Sequence, residues 1–248
     1  MSFKDHFSGH ASGYAAARPT YPDALFSWLG ITAPANDMVW DVGCGNGQAS
    51  VALARVFDRV FATDASKQQI TNAEPAENVE YFVAPAEDCP LPDASCDAVT
   101  VAQAAHWFDI DAFYQEADRV LKPGGLMAIW CYGIHSVDQQ TDTLVGTLYA
   151  ETLAGDWPPE RALIERGYAD LGFPYPTIEI PEFSLTVHWT ADELADYLSS
   201  WSATQRYIHR TGRNPVASVR DQLVDVWGGE TRKVTWPISV LAGFRPAQ

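Results

Sequence analysis

Between residues 36 and 133 the chain alternates between short, almost wholly apolar runs and longer runs whose apolar positions recur at helical spacing. Residues 38–42, 59–63, 79–83, 98–101 and 126–130 are of the first kind, rich in Val, Ile and aromatic side chains, and are predicted strands. Continuous apolarity suits strands covered on both faces, as in a parallel sheet. Residues 48–57, 67–72 and 111–121 are of the second kind; Phe113, Ala117, Val120 and Leu121 make one helical stripe. Strands and helices in this alternation predict right-handed crossovers and an α/β, doubly wound, mostly parallel sheet.

After Tyr132 the rhythm changes. A helical stretch covers 138–153, Trp157-Pro158-Pro159 interrupts it, and 161–171 resumes it. Residues 182–189 read as a strand, 191–209 as one amphipathic helix and 216–226 as another. Residues 231–244 read as a strand pair or one bent strand, with Pro237 marking an edge or a kink. A length of 248 residues fits one domain. The expected division is an N-terminal segment over 1–35, an α/β core over 36–133, and a cap that also completes the sheet over 134–248.

Composition narrows the partners. With 47% hydrophobic and 12% aromatic residues the chain can bury a large core. Sixteen basic against 32 acidic residues give a net charge of −16, a surface that repels phosphate backbones and argues against nucleic-acid binding. A local basic pocket for a small anion is still compatible with it. Cys44, Cys89, Cys96 and Cys131 are far apart, with no zinc-like spacing, so no metal is expected and the thiols read as reduced. Residues 1–22 include Lys4, Asp5, His6 and Arg18 and lack the apolar centre of a secretory leader. No run approaches the ~20 apolar residues of a membrane span, and a cytoplasmic location is expected.

The strongest local signal is Val39-Trp40-Asp41-Val42-Gly43-Cys44-Gly45-Asn46-Gly47, a strand running into three alternate glycines and then a helix. Glycine permits positive φ and lets backbone approach a ligand. In an open α/β sheet this turn lies at the carboxyl end of the first strand, where ligands bind. Seventeen residues beyond Gly47, Asp64 ends the second predicted strand, where a carboxylate can accept from both ribose hydroxyls. The alternative for Asp64 is a helix cap, a task Ser66 can also fill. Dinucleotide sites carry Gly-x-Gly-x-x-Gly, whereas spacing by two throughout favours a nucleoside bearing an amino-acid tail.

These motifs resemble those of class I S-adenosylmethionine-dependent methyltransferases, and the resemblance spans residues 10 to 245. Ala86-Glu87-Asp88-Cys89-Pro90-Leu91-Pro92-Asp93, followed by Cys96-Asp97-Ala98-Val99, looks like the family's adenine-binding turn and fourth strand. Arg119-Val120-Leu121-Lys122-Pro123-Gly124-Gly125 matches the helix and turn before its fifth, and Lys122 to Gly125 read as purely structural. Pro85 stands where many relatives have an Asp that accepts from the adenine amino group, which leaves that task to Glu87 or the backbone of Ala86. The resemblance implies a Rossmann-like sheet of seven strands with a reversed strand at one edge, and S-adenosyl-L-methionine as cofactor. Its implied cofactor-binding residues here are Tyr14, Arg18, Asp41, Gly43, Cys44, Gly45, Asp64, Ala65, Ala86, Glu87 and Gln103.

Three segments look like the trans-aconitate methyltransferase-like branch of methyltransferase type 11: Phe7-Ser8-Gly9-His10 with Tyr14 to Pro22, which resembles its N-terminal lid and makes residues 1–35 the expected lid segment; Gln103-Ala104-Ala105-His106-Trp107-Phe108; and Ser200-Trp201-Ser202-Ala203 with Trp236-Pro237. By that resemblance Tyr14 closes over the donor and Arg18 pairs with its carboxylate. His106 and Trp107 are the candidate catalytic residues; an ordinary satisfied histidine and a core tryptophan are the alternatives. Arg206 and Arg210, i,i+4 on one predicted helix beside His209 and Arg213, are candidate substrate-binding residues. They can equally neutralise Asp192, Glu193 and Asp196. The expected reaction is methylation of a small acid on a carboxylate oxygen, with a thiol, phenol or amine acceptor as runner-up. A dinucleotide oxidoreductase and a non-catalytic donor-binding protein are the other classes to weigh.

Overall fold

A computed structural model describes residues 19–247. Tyr14 and Arg18 therefore lie outside the described residues. Strands β1 (Val39–Val42), β2 (Val60–Asp64), β3 (Val79–Val83), β4 (Cys96–Ala102), β5 (Leu121–Tyr132), β6 (Phe183–Trp189) and β7 (Arg232–Phe244) form one sheet in the order β3-β2-β1-β4-β5-β7-β6. β1 to β5 are parallel and β7 runs against both β5 and β6. The reversed strand thus stands one place in from that edge. The chain winds outward from β1 through β2 and β3, then returns to lay β4 on the other side of β1. That reversal opens a crevice at the carboxyl ends of β1 and β4.

Continuous apolarity has the expected cause. Leu126, Ala128, Trp130 and Tyr132 of β5 enter one core while Met127, Ile129 and Cys131 enter the other, so both faces are buried. Each large side chain so placed contributes about 1.5–3 kcal/mol. On one face α1 (Asp23–Thr32) and α2 (Gln48–Leu53) pack, and on the other α4 (Ile110–Val120), through Phe113, Ala117 and Val120. α3 (Lys67–Thr71) is a short connection between β2 and β3. α1 falls in a segment for which the hydrophobic pattern predicts no element; Leu25, Phe26 and Leu29 make one buried turn too short to stand out.

The cap differs more from expectation. The stretch 138–153 is α5 (Gln139–Thr147) followed by a π-helical turn, Leu148–Thr152, and the stretch after the prolines is only α6 (Arg161–Glu165). The predicted helix over 191–209 is two helices, α7 (Ala191–Ser199) and α8 (Ser202–Thr211). Ser199 and Ser200 donate their hydroxyls to the carbonyls of Ala195 and Tyr197, competing with the helix ladder where Trp201 turns to extended backbone. α9 (Val216–Trp227) then leads into β7, which is a single strand.

Pro237 sits inside β7, which is flanked on both sides. β5 pairs with β7 as far as Tyr132↔Ile238, and pairing resumes only at the isolated bridge Ser136↔Thr235. The Thr235 amide donates to Ser136 O at 3.0 Å, so Pro237, two residues on, faces the same side, where residues 133–135 have left the ladder. A missing N–H costs nothing there.

Candidate donor and acceptor site

The glycine loop is built by sterics. Gly43, Gly45 and Gly47 have φ of +65°, +57° and +87°. A Cβ on Gly43 would lie 2.7 Å from Ala104 Cβ and 3.0 Å from the Phe108 ring, and one on Gly47 would collide with the Tyr81 hydroxyl. Tyr81 donates to Glu74 O at 2.7 Å and the Glu74 amide to Asn46 O at 2.9 Å, so β3 buttresses the loop from behind. Gly45 is different: a Cβ there meets nothing within 4 Å. The middle of the loop faces open space.

Asp64 is turned to that loop. Its Oδ2 accepts from the Gly45 amide at 2.9 Å and its Oδ1 from the Ser66 amide at 2.8 Å, across half-buried Ala65. The cap of α3 is Ser66, whose Oγ accepts from Gln69 N at 3.3 Å, so capping does not require Asp64. Cys44 is buried; its amide donates to Thr63 O at 3.0 Å and burial pushes its thiol well up. Asp41 is fully buried beneath the loop, accepting from Ser50 Oγ at 2.6 Å and Thr100 Oγ1 at 3.2 Å. Burial raises its carboxyl to about 6, against the two hydrogen bonds that favour its charge. Asp41 ties β1 to α2 and β4.

The remaining candidates occupy the same edge. Ala86 is buried in the turn after β3, and Glu87 beside it accepts from the Asp109 amide at 2.8 Å, linking that turn to the start of α4. Gln103 has φ +57°, and its side-chain amide exchanges two hydrogen bonds with the Tyr132 backbone, at 3.0 and 2.9 Å. It prolongs the β4–β5 pairing beyond the strand end. A short 3-10 turn, Ala105–Trp107, follows. His106 is buried there with Nδ1 2.7 Å from the Tyr168 hydroxyl, and Trp107, half-buried, lies 4.6 Å from its ring. Tyr168 comes from the cap, is fully buried, and has its hydroxyl pushed well up by burial.

Arg206 and Arg210 are placed otherwise than a carboxylate-binding pair would be. Arg210 grips buried Asp156 with two bonds, at 3.1 and 2.6 Å, and Arg206 reaches the Asp156 carbonyl at 3.5 Å. Asp192 and Asp196 are neutralised by Arg220 instead. The hydrophobic pattern singled out none of Tyr168, Tyr149, Trp157, Arg161 or His135: Tyr168 and His135 meet partners remote in sequence, and Tyr149, Trp157 and Arg161 meet one another across a turn with no helical or strand period. His135 is the clearest case: buried three residues past β5, it has ring neighbours Trp236, Tyr197 and Trp201 at 5.4, 5.8 and 6.4 Å. Neither ring nitrogen has a hydrogen-bond partner among the described residues, and burial pushes its pKa down to about 4.

A doubly wound sheet with an acid beside a glycine loop at its switch point defines a nucleoside-binding α/β protein of the Rossmann-like class. Residues 40–129 match the Methyltransferase domain family. A methyltransferase relative from Dictyostelium discoideum is 34% identical over 229 residues, 91% of this chain and 87% of that protein. A type II methyltransferase structure from Anaeromyxobacter dehalogenans superposes with TM-score 0.88 at 45% identity, covering 93% of this chain and 99% of that one. The Haemonchus contortus phosphoethanolamine N-methyltransferase 2, solved with S-adenosylhomocysteine, shares the fold at TM-score 0.51 and 18% identity, covering 100% of this chain and 61% of that one. The chain belongs to the class I S-adenosylmethionine-dependent methyltransferases. It is an enzyme whose cofactor is S-adenosylmethionine. The family sets aside the dinucleotide oxidoreductase. The open space over Gly45, with the Asp64 carboxylate beside it, fits the cofactor's nucleoside end. Among the described residues no cluster could hold a metal ion, and no helix is long and apolar enough to cross a membrane.

Proposed function

We propose that the protein methylates a small organic acid on a carboxylate oxygen. The observation that carries this reading is the layer of rings where the cap meets the core at the end of β5. Tyr197, Trp201 and Trp236 surround the chain leaving β5 at His135, and Tyr21 stands edge-on to Trp130 and Tyr132, at 5.8 and 6.1 Å. A water-poor, ring-lined acceptor side favours meeting of an anion and a cation whose charges cancel in the reaction. When bound, S-adenosylmethionine supplies a methyl group made electrophilic by its sulfonium. Asp64 then holds the ribose hydroxyls, the backbone from Gly43 to Gly45 and Ala65 lies against the nucleoside, and Ala86 with Glu87 faces the adenine. Asp41 and Gln103 act from behind, by fixing the loop and the β4–β5 edge.

Pro19 O accepts from Gln48 Nε2 at 3.2 Å, which brings the start of the described chain to the glycine helix. By the resemblance, Arg18 pairs with the donor's carboxylate and Tyr14 closes over the donor, with residues 1–35 as the lid. Residues 36–133 are the donor core and 134–248 the cap. An ionised carboxylate needs no proton removed, so His106, anchored by Tyr168, orients the acceptor beside Trp107. Placing two atoms in line supplies up to about 7–11 kcal/mol in favourable cases. Four buried free thiols fit a reducing, cytoplasmic compartment, and the charge of −16 leaves nucleic acid an unsuitable acceptor.

The test is mass-spectrometric detection of methylated product with trans-aconitate, aromatic acids, thiols, phenols and amines. Ester formation on an acid is expected. Turnover of a thiol, phenol or amine with none on any carboxylate overturns this choice of acceptor in favour of that class.

A further inference from the structure

Arg161 is an arginine with no carboxylate partner among the described residues, in a chain with 32 acids and 16 bases. It is nonetheless held in place. Its Nε donates to Tyr149 Oη at 2.8 Å, and its guanidinium carbon lies 5.5 Å from the Tyr149 ring centre and 5.0 Å from that of Trp157. Trp157 Nε1 donates to Tyr149 O at 3.1 Å, locking the two rings together. The nearby acid, Glu165, accepts from the Tyr149 hydroxyl rather than from the arginine. The guanidinium is thus oriented through its Nε, while its two terminal nitrogens have no hydrogen-bond partner among the described residues. A fixed guanidinium fork matches a carboxylate in both shape and charge.

These residues line an open cleft of about 410 Å³ between the π-helical turn and α6. π-helical turns recur at functional sites, and this one presents Tyr149. The cleft adjoins the acceptor side. α6 packs on the 3-10 turn that carries His106 and Trp107, and the Cys131 thiol at the end of β5 donates to Ile164 O within α6. Trp201 continues the ring lining inward, 5.7 Å from Tyr149, 5.5 Å from Trp157 and 6.4 Å from His135.

We infer that this cleft receives an anionic carboxylate end of the acceptor and that Arg161 holds it through its terminal nitrogens, setting specificity for acids over their neutral isosteres. This rests on the acid acceptor proposed above. A guanidinium on the oxygen being methylated would hold back charge that must be lost, so Arg161 serves best on a carboxylate that is not the one reacting. Arg161, not the Arg206 and Arg210 pair, is then the basic residue of the acceptor side.

The test uses the full chain saturated with S-adenosylhomocysteine, titrated calorimetrically with fumarate against fumaramide and with trans-cinnamate against trans-cinnamamide. The wild type is expected to bind at least one acid tenfold or more tightly than its amide. Arg161→Met removes that preference, Arg161→Lys keeps part of it, and S-adenosylhomocysteine affinity, the control for folding, stays within twofold in both. An acid preference that survives Arg161→Met overturns the site while leaving the acid acceptor standing. No acid preference in the wild type overturns both, with donor binding untouched. Should Arg161→Met lose donor binding, Arg161→Lys and Arg161→Gln replace it, and an undiminished acid preference in folded Gln protein overturns the site.

Discussion

The glycine-loop edge and the cap solve opposite problems. At the loop, nearly every constraint is local and steric: three positive-φ glycines, an aspartate ending the adjacent strand, a tyrosine behind. In the cap the constraints are remote and chemical: Asp156 with Arg210, Tyr168 with His106 of the core, and His135 among rings from α7, β7 and the link between α7 and α8. The nucleoside end of a common cofactor demands one fixed shape. An acceptor demands a pocket, and a pocket is assembled from whatever the fold brings together. Rigid geometry therefore concentrates at the loop, and among the described residues most buried polar side chains without a partner, those of His135, Thr141 and Trp227, are in the cap.

The two regions respond differently to substitution. The largest effect is expected from Gly43→Val, which forces a branched side chain into a positive-φ site already 2.7 Å from Ala104 Cβ. It should lose at least about 3 kcal/mol in urea unfolding. Gly45→Ala, with nothing within 4 Å, should cost only about 1 kcal/mol, yet weaken S-adenosylhomocysteine binding more than tenfold by filling the open space. Equal stability losses in the two variants would show that the loop is not built as described.

Next is the buried histidine. Above pH 6.5 both folded and unfolded chains hold His135 neutral; as pH falls toward 4 the unfolded chain takes a proton that the folded one refuses. The stability lost over that window is about 3 kcal/mol. Asp41 works in the opposite sense: with its carboxyl raised from 3.8 to about 6, the folded chain is protonated first and gains stability as pH falls through 6. His135→Phe removes the loss and leaves the gain, so relative to wild type its stability should rise between pH 7 and 4.5. Parallel urea midpoints across that range would rule out a neutral buried His135.

A smaller separation is expected between two aspartates. Asp64→Ala should weaken S-adenosylhomocysteine binding more than tenfold, or about 1.4 kcal/mol, with little change in Tm. Asp156→Ala should lower Tm by orphaning Arg210 while donor affinity stays within twofold. Calorimetry with thermal melts checks both, and a reversed pattern would exchange the roles of the two regions. Smallest of all, Arg220→Ala should cost no more than about 1 kcal/mol, because Asp192 and Asp196 are mostly exposed; a larger loss would make this surface pair a true brace of the cap.

Legibility in the sequence follows the same divide. Strands β1, β2 and β4 are legible because burial on both faces leaves an apolar run. β3, with Phe82 and Val83 exposed, is legible by its Val and aromatic residues. β5 begins at Leu121, five residues before the apolar run, taking in Lys122 to Gly125 where a helix end and turn are expected. The loop and Asp64 are legible because backbone conformation and strand-end position depend on few neighbours. The break between α7 and α8 is hidden, since Ser199-Ser200-Trp201 is compatible with a helix until Trp201 has rings to pack against. Arg206 and Arg210 look like a receptor in one dimension; Asp156, 50 and 54 positions earlier, meets Arg206 with its carbonyl and Arg210 with its carboxylate.

The sequence alone determined the doubly wound core, the glycine turn and the acid beside it, because hydrophobic periodicity and φ preference are properties of short segments. Only the tertiary structure decided which of the arginines is paired, which histidine is buried without a partner, and which rings line the cap. Those outcomes depend on desolvation and on contacts between residues tens of positions apart, and neither is written in any local pattern.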